Sequence, residues 1–190
     1  MKISLVTIRS TIFLFLAVGG VFSCSRDSQF ETGCPYPSLA KLDSVQQIFY
    51  SPYLNKRYSE TIDTVAFDDF RYHIEFEFEK IKKNNSSNEF SINPACEPEY
   101  DVLDISNISI ILTAPYDGIQ TGNDISYLFL LPDGKSINRF RDYQNMKQFM
   151  TLKLKEKPNK VSQLNTEMVI YMVNGERIKK PSISPSIRPD

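Results

Sequence analysis

The sequence predicts a mainly β domain, an antiparallel β-sandwich of immunoglobulin-like general architecture with one short helix. Three observations carry this. Thirteen Phe and ten Tyr, with no Trp, sit in short runs beside β-branched residues, the residue types that pack well on a pleated surface. Seven or eight such runs are separated by turn signals such as Pro115-Tyr116-Asp117-Gly118, Pro132-Asp133-Gly134 and Asn174-Gly175. No regular alternation of strand and helix patterns appears, as a parallel α/β fold would require.

Taken in order, residues 43–50 read as a first strand that Ser51-Pro52 ends, because proline removes a ladder donor. Residues 61–67 form a weaker strand candidate. Residues 72–79 are the clearest element: Tyr72, Ile74, Phe76 and Phe78 alternate with His73, Glu75, Glu77 and Glu79. Strict period two means one buried and one wet face. A polar loop from Lys82 leads through Pro94 and Pro98 to a second strong strand, Ile105 to Leu112, with Ile108, Ile110 and Leu112 on one face. Ile125 to Leu131 is nearly continuous apolar. Phe140, Tyr143, Met146 and Lys147 fall at helical spacing, so residues 140–149 are the one expected helix. Met150–Lys155 and Met168–Val173 alternate again, and Asn174-Gly175 is a tight hairpin turn followed by a return over residues 176–179. The sandwich domain is thus placed at residues 41–180. Three prolines in residues 181–190 predict a disordered tail.

The first 23 residues have another character. Lys2 and Arg9 form a basic start, residues 11–18 an apolar run, and Val21-Phe22-Ser23-Cys24 follows Gly19-Gly20. The run is too short for a stable span of the ~30 Å hydrocarbon core, but it has the length and flanks of a secretory signal. Val21, Ser23 and Cys24 fit a bacterial lipobox; Phe22 is bulkier than usual there. The expectation is a signal peptide over 1–23, lipid on Cys24 and a tether over 24–40. Two or three acyl chains, at roughly 0.8 kcal/mol per buried methylene, anchor stably where one does not. An ordinary secreted chain with an incidental Cys24 is the alternative.

With Cys24 lipidated, Cys34 and Cys96 are left in an oxidising compartment, and both lie in turn-like settings. A disulfide is expected; two free thiols are the alternative, and a zinc site lacks ligands, with a single distant histidine. Removing Lys2 and Arg9 with the signal leaves 20 basic against 23 acidic groups, a balance of −3. This domain lacks the basic footprint of a nucleic-acid binder.

The sequence carries few residues arranged for chemistry. His73, the one histidine, reads as a solvated strand residue with no accompanying nucleophile, and no phosphate-loop, dinucleotide or zinc-protease motif occurs. No metal or cofactor is expected. Glu75, Glu77 and Glu79 form a comb about 6.5–7 Å apart, spacing that glycoside hydrolysis or cation binding uses, although a regular solvated row lacks the cleft such work needs. Asp43-Ser44-Val45 and Asp63-Thr64-Val65 resemble the acceptor motif of general O-glycosylation in Bacteroidetes, with Ser44 and Thr64 as the acceptors; a buried mid-strand position would preclude modification.

The order of features is also suggestive. A lipobox, a short cysteine-bearing tether, a cysteine after Asn93-Pro94-Ala95, then Ile105-Ser106-Asn107-Ile108-Ser109-Ile110 followed by Asn123-Asp124-Ile125 resembles a group of uncharacterised Bacteroidetes lipoproteins. The resemblance would cover most of residues 24–180. It implies an envelope location and a sandwich-like domain, and it supplies no catalytic residues. The expected role is a non-enzymatic binding or accessory module on the outer membrane, at its periplasmic or surface face. Its partners would be the membrane, through Cys24, and an envelope protein or glycan. A glycan hydrolase working through the Glu75/Glu77/Glu79 face is the alternative.

Overall fold

The computed structural model describes residues 34–81 and 96–190. The expected signal peptide, Cys24 and the first part of the tether lie outside them. The fold is a β-sandwich. Its strands are β1 (Ser38–Leu54), β2 (Arg57–Ser59), β3 (Thr64–Ala66), β4 (Arg71–Lys80), β5 (Glu99–Val102), β6 (Ile105–Leu112), β7 (Phe129–Leu130), β8 (Met146–Lys147), β9 (Phe149–Leu154), β10 (Ser162–Met172) and β11 (Arg177–Arg188). A seven-stranded sheet has the order β7-β9-β4-β1-β5-β8, with β2 added beside β1; a four-stranded sheet runs β3-β11-β10-β6. Most pairings are antiparallel, but β1 with β5 and β11 with β3 are parallel, so both sheets are mixed rather than purely antiparallel.

The core lies between the sheets. From β4 it takes Tyr72, Ile74 and Phe76, all with no exposed surface, and Phe78 packs against its margin. From the facing sheet come Ile108, Ile110, Leu112, Met168 and Ile170. One polar cluster sits among them: Tyr72 Oη is 3.2 Å from Ser182 Oγ, which is 2.9 Å from Thr166 Oγ1. Pairing keeps these buried hydroxyls from standing uncompensated.

Strand β1 departs from the expected pattern in ways that matter for function. It runs through Pro52 rather than stopping there, and it begins at Ser38, inside the expected tether. Its register against β4 shifts between Leu42 and Ser44 and again between Val45 and Gln47. Asp43 and Gln46 are therefore extra residues, β-bulges, and the inward set becomes Leu42, Val45, Ile48 and Tyr50. Along its other side, Leu42 N donates to Asp104 Oδ1 (3.0 Å) and Lys180 Nζ donates to the Gln46 carbonyl (2.7 Å). Side chains thus occupy backbone groups that an open edge would leave free.

Three further expectations differ from the structure. Residues 140–149 are not a helix: a single 3-10 turn, Ile137–Arg139, leads into an irregular segment and then β8. Phe140, Tyr143 and Met146 do reach the core. However, Asp142 Oδ1 accepts from Gln144 N, and Asn145 has a φ of 53° with its N–H on Asp101 Oδ1. Such side-chain bonds divert the backbone from helix. Residues 181–190 are not a disordered tail, since β11 extends to Arg188 with Ile187 fully buried. The register of β11 on β10 shifts around Ser184 and Pro185, and there Ser184 Oγ accepts from Leu164 N (2.9 Å), a bond the irregular backbone does not supply. The hairpin before it is wider than a two-residue turn, with residues 173–176 between the strands.

Cys34 and Cys96 form a disulfide, with Cα atoms 5.5 Å apart, closing a sequence separation of 62. In the chain-entropy model this stabilises by about 4 kcal/mol. Ser38 of β1 lies opposite Tyr100 of β5, so each cysteine stands four residues before the same rung of a parallel pair.

Phe76→Ala should cost about 3–5 kcal/mol in chemical denaturation, because it empties a fully enclosed site. Glu77→Gln, on the opposite face, should cost less than about 1 kcal/mol. Deleting residues 181–190 should abolish cooperative unfolding, since it removes buried Ile187 and, among the described residues, the only strand partner of β3; a cooperative melt in the truncated chain would contradict this role for β11.

Candidate functional site

The outer face of the large sheet carries the groups that chemistry would use. Period two in β4 puts His73, Glu75 and Glu77 there, and pairing brings His73 and Glu75 a neighbour on both sides and Glu77 one on the β1 side. Phe49 and Thr151 flank His73; Gln47 and Phe149 flank Glu75; Ser44 lies opposite Glu77. The bulge at Gln46 places a second amide beside Gln47. Glu75 accepts from Gln47 Nε2 (2.7 Å) and Gln148 Nε2 (3.1 Å), and Glu77 accepts from Ser44 Oγ (3.0 Å) and from Gln46 Nε2. Together Gln46, Gln47, Glu75, Glu77 and Gln148 line an open depression in the face. Glu79 lies opposite Lys41, exposed and outside it.

Beside the depression stands a group of rings. Phe49 stacks on His73 with centroids 4.9 Å apart, Tyr58 of β2 leans on Phe49 at 4.4 Å, and Tyr53 meets Tyr58 edge-on at 5.1 Å. Phe149 closes the group on the β9 side, 6.3 Å from Phe49. Tyr53, Tyr58 and Phe149 remain 60%, 44% and 46% exposed. Three large rings joined through Phe49 and, for Tyr53, through Tyr58, and open to water, are not the scattered exposure ordinary surfaces show.

His73 is not the solvated residue the sequence suggests. It is half-buried, and both ring nitrogens are engaged: Nε2 is 2.5 Å from Ser51 Oγ and Nδ1 is 2.9 Å from Thr151 Oγ1. Sequence reading missed Ser51 and Thr151, which lie 22 and 78 residues away; only the β1-β4-β9 register reveals them. A serine on one nitrogen and a second partner on the other has the outline of a nucleophile and base. Yet the third group is a neutral hydroxyl, where hydrolases of this kind place a carboxylate worth about 10⁴-fold in turnover. Burial, and then the nearby Arg71 guanidinium, push the His73 pKa below the ordinary value. Both disfavour the imidazolium that such catalysis must form. A neutral ring satisfies both neighbours at once, one nitrogen donating and the other accepting, and it holds His73 in place where it stacks on Phe49.

The remaining expected positions are dispersed. Ser44 lies mid-strand, partly buried, with its hydroxyl on Glu77, whereas Thr64 is exposed on the edge strand β3. Among the described residues, no three His, Cys, Asp or Glu side chains converge to hold a metal ion, and no helix is long and apolar enough to cross a membrane. Compared with known proteins, the chain matches no family model, no curated protein and no solved structure. What the face does must therefore be read from its own chemistry.

A folded-state His73 pKa below the unfolded value of about 6.5 has a fixed sign. Between those two values the unfolded chain binds more protons, so His73 stabilises the fold above about pH 6.5 and loses that contribution as pH falls through its folded pKa. An NMR titration of the His73 ring should give a midpoint below the ordinary histidine value. Denaturation between pH 7.5 and 5 should show a stability decrease that His73→Gln lacks.

Proposed function

We propose that the chain is an envelope lipoprotein, anchored through lipid on Cys24, whose folded part is a non-enzymatic binding module working through the outer face of the large sheet. The observation that carries this reading is the group of open rings, Tyr53, Tyr58 and Phe149, beside a depression lined by amides and carboxylates. A surface of rigid aromatic anchors with adjacent hydrogen-bonding groups is what recognition uses. The lipobox and the order of motifs support membership of the Bacteroidetes lipoprotein group named above. In that setting the module stands on the outer membrane, and the membrane is its first partner.

One observation favours a second reading, a glycan hydrolase: Glu75 and Glu77 share the depression. Against it, Glu77 is exposed, and both carboxylates are held by neutral side chains in similar fashion. A hydrolase needs its two carboxylates in contrasting environments, one set to stay protonated.

Cells grown with labelled fatty acid should incorporate label into the wild-type chain, and Cys24→Ala should remove it and leave an unprocessed or soluble product. An unlabelled wild type would rule out the anchor.

A further inference from the structure

Building on the choice of that face as the working surface, we propose that its ligand is a neutral saccharide chain lying across β2, β1, β4 and β9. Sugar rings would rest on Tyr58 and Phe149, with their hydroxyls turned into the depression.

The chemistry of the two halves of the site specifies the ligand. Tyr53, Tyr58 and Phe149 offer open aromatic surface in a cluster stiffened by Phe49 and His73. A ligand must therefore present flat apolar surface. The depression beside it offers only planar hydrogen-bonding groups, three amides and two carboxylates. Each amide both donates and accepts, while each carboxylate accepts at several positions. A ligand must therefore also carry many hydroxyls, each able to donate and accept, around the edge of that flat surface. Sugar rings combine apolar C–H faces with hydroxyl edges.

Charge and backbone pairing exclude the other partners. Glu75 and Glu77 line the depression with no Lys or Arg among its residues, so phosphates, acidic polymers and anionic lipid surfaces meet like charge. A peptide adding as a strand needs a free edge. Strands β4 and β1, which carry the centre of the face, are paired there on their facing sides, and β4 is paired with β9 beyond. The carboxylates already hold amide donors, so they are arranged as acceptors with fixed orientation rather than as bare charges awaiting a cation.

The test uses the full-length chain in detergent on an array of neutral oligosaccharides spanning α- and β-linked hexoses and pentoses, with heparin, alginate and phosphatidylglycerol vesicles as anionic probes. Retention by at least one neutral class, unaffected by 0.5 M salt as expected for an uncharged ligand (roughly a 4 Å screening length), is expected. Tyr58→Ala and Phe149→Ala should each weaken it about tenfold, as loss of ~1.4 kcal/mol of stacking would. Glu75→Ala should weaken it similarly, and all three variants should keep the wild-type melting profile. No neutral binding, or binding that these variants leave intact, overturns the proposal. Binding to the anionic probes alone also overturns it, while leaving a binding module in place. A wild-type dimer that Phe149→Ala dissociates would show that a second copy occupies the face and would likewise overturn it. Fatty-acid labelling of Cys24 reports on the anchor independently of every one of these outcomes.

Discussion

The placement of β4 between β1 and β9 sets both faces of the large sheet at once. Inward, it buries Tyr72, Ile74 and Phe76 without exposed surface; outward, it aligns His73, Glu75 and Glu77. These assignments cannot be varied separately, because side chains alternate strictly along a strand. A slip of one residue would carry carboxylates into an apolar interior, at a cost of several kcal/mol each, and expel three large side chains. The energy that holds the core therefore also holds the outer face, where Gln148, in the bend between β8 and β9, is the one residue lining the depression that lies outside a strand.

Some of this was legible in the sequence and some was not, for identifiable reasons. Strand β4 carries clean alternation that survives into the structure, while β6 over Ile108–Leu112 and β10 over Leu164–Met172 keep one buried face at period two, with a register irregularity near Ile105. The disulfide was legible from the cysteine count together with the expected export. Strand β1 was blurred because the bulges at Asp43 and Gln46 space its buried residues three, three and two apart, a pattern that matches neither template. The misread helix has the converse cause: Phe140, Tyr143 and Met146 are spaced for a helix face but reach the core from turns held by Asp142 and Asn145. The proline-rich end reads as disordered by composition, yet Pro181 and Pro185 sit in a strand whose irregular stretch is supported by Ser184.

The site was legible only in halves. Its carboxylates appear as a comb on β4, but the glutamines that hold them come from the bulged part of β1 and from Gln148, and no local pattern points to either. Likewise, His73 has no nearby sequence partner; its environment is made by residues that meet only through sheet register. The bulge that hides β1 from a periodicity reading is the same feature that brings two consecutive amides to the outer face. Bulges commonly re-aim side chains at such places.

The disulfide also determines how the domain meets mechanical load. A pull arriving from the chain before Cys34 divides at that residue, passing along the backbone into β1 and through sulfur into β5. Because Ser38 and Tyr100 face each other four residues beyond the two cysteines, and the strands run the same way, both are drawn from the same end in step. The rungs between them are not peeled one at a time. The load is handed on along the length of β1 to its antiparallel neighbour β4, where many hydrogen bonds must shear together. A domain pulled from this end would thus be gripped at its most extensively paired strand rather than at an edge.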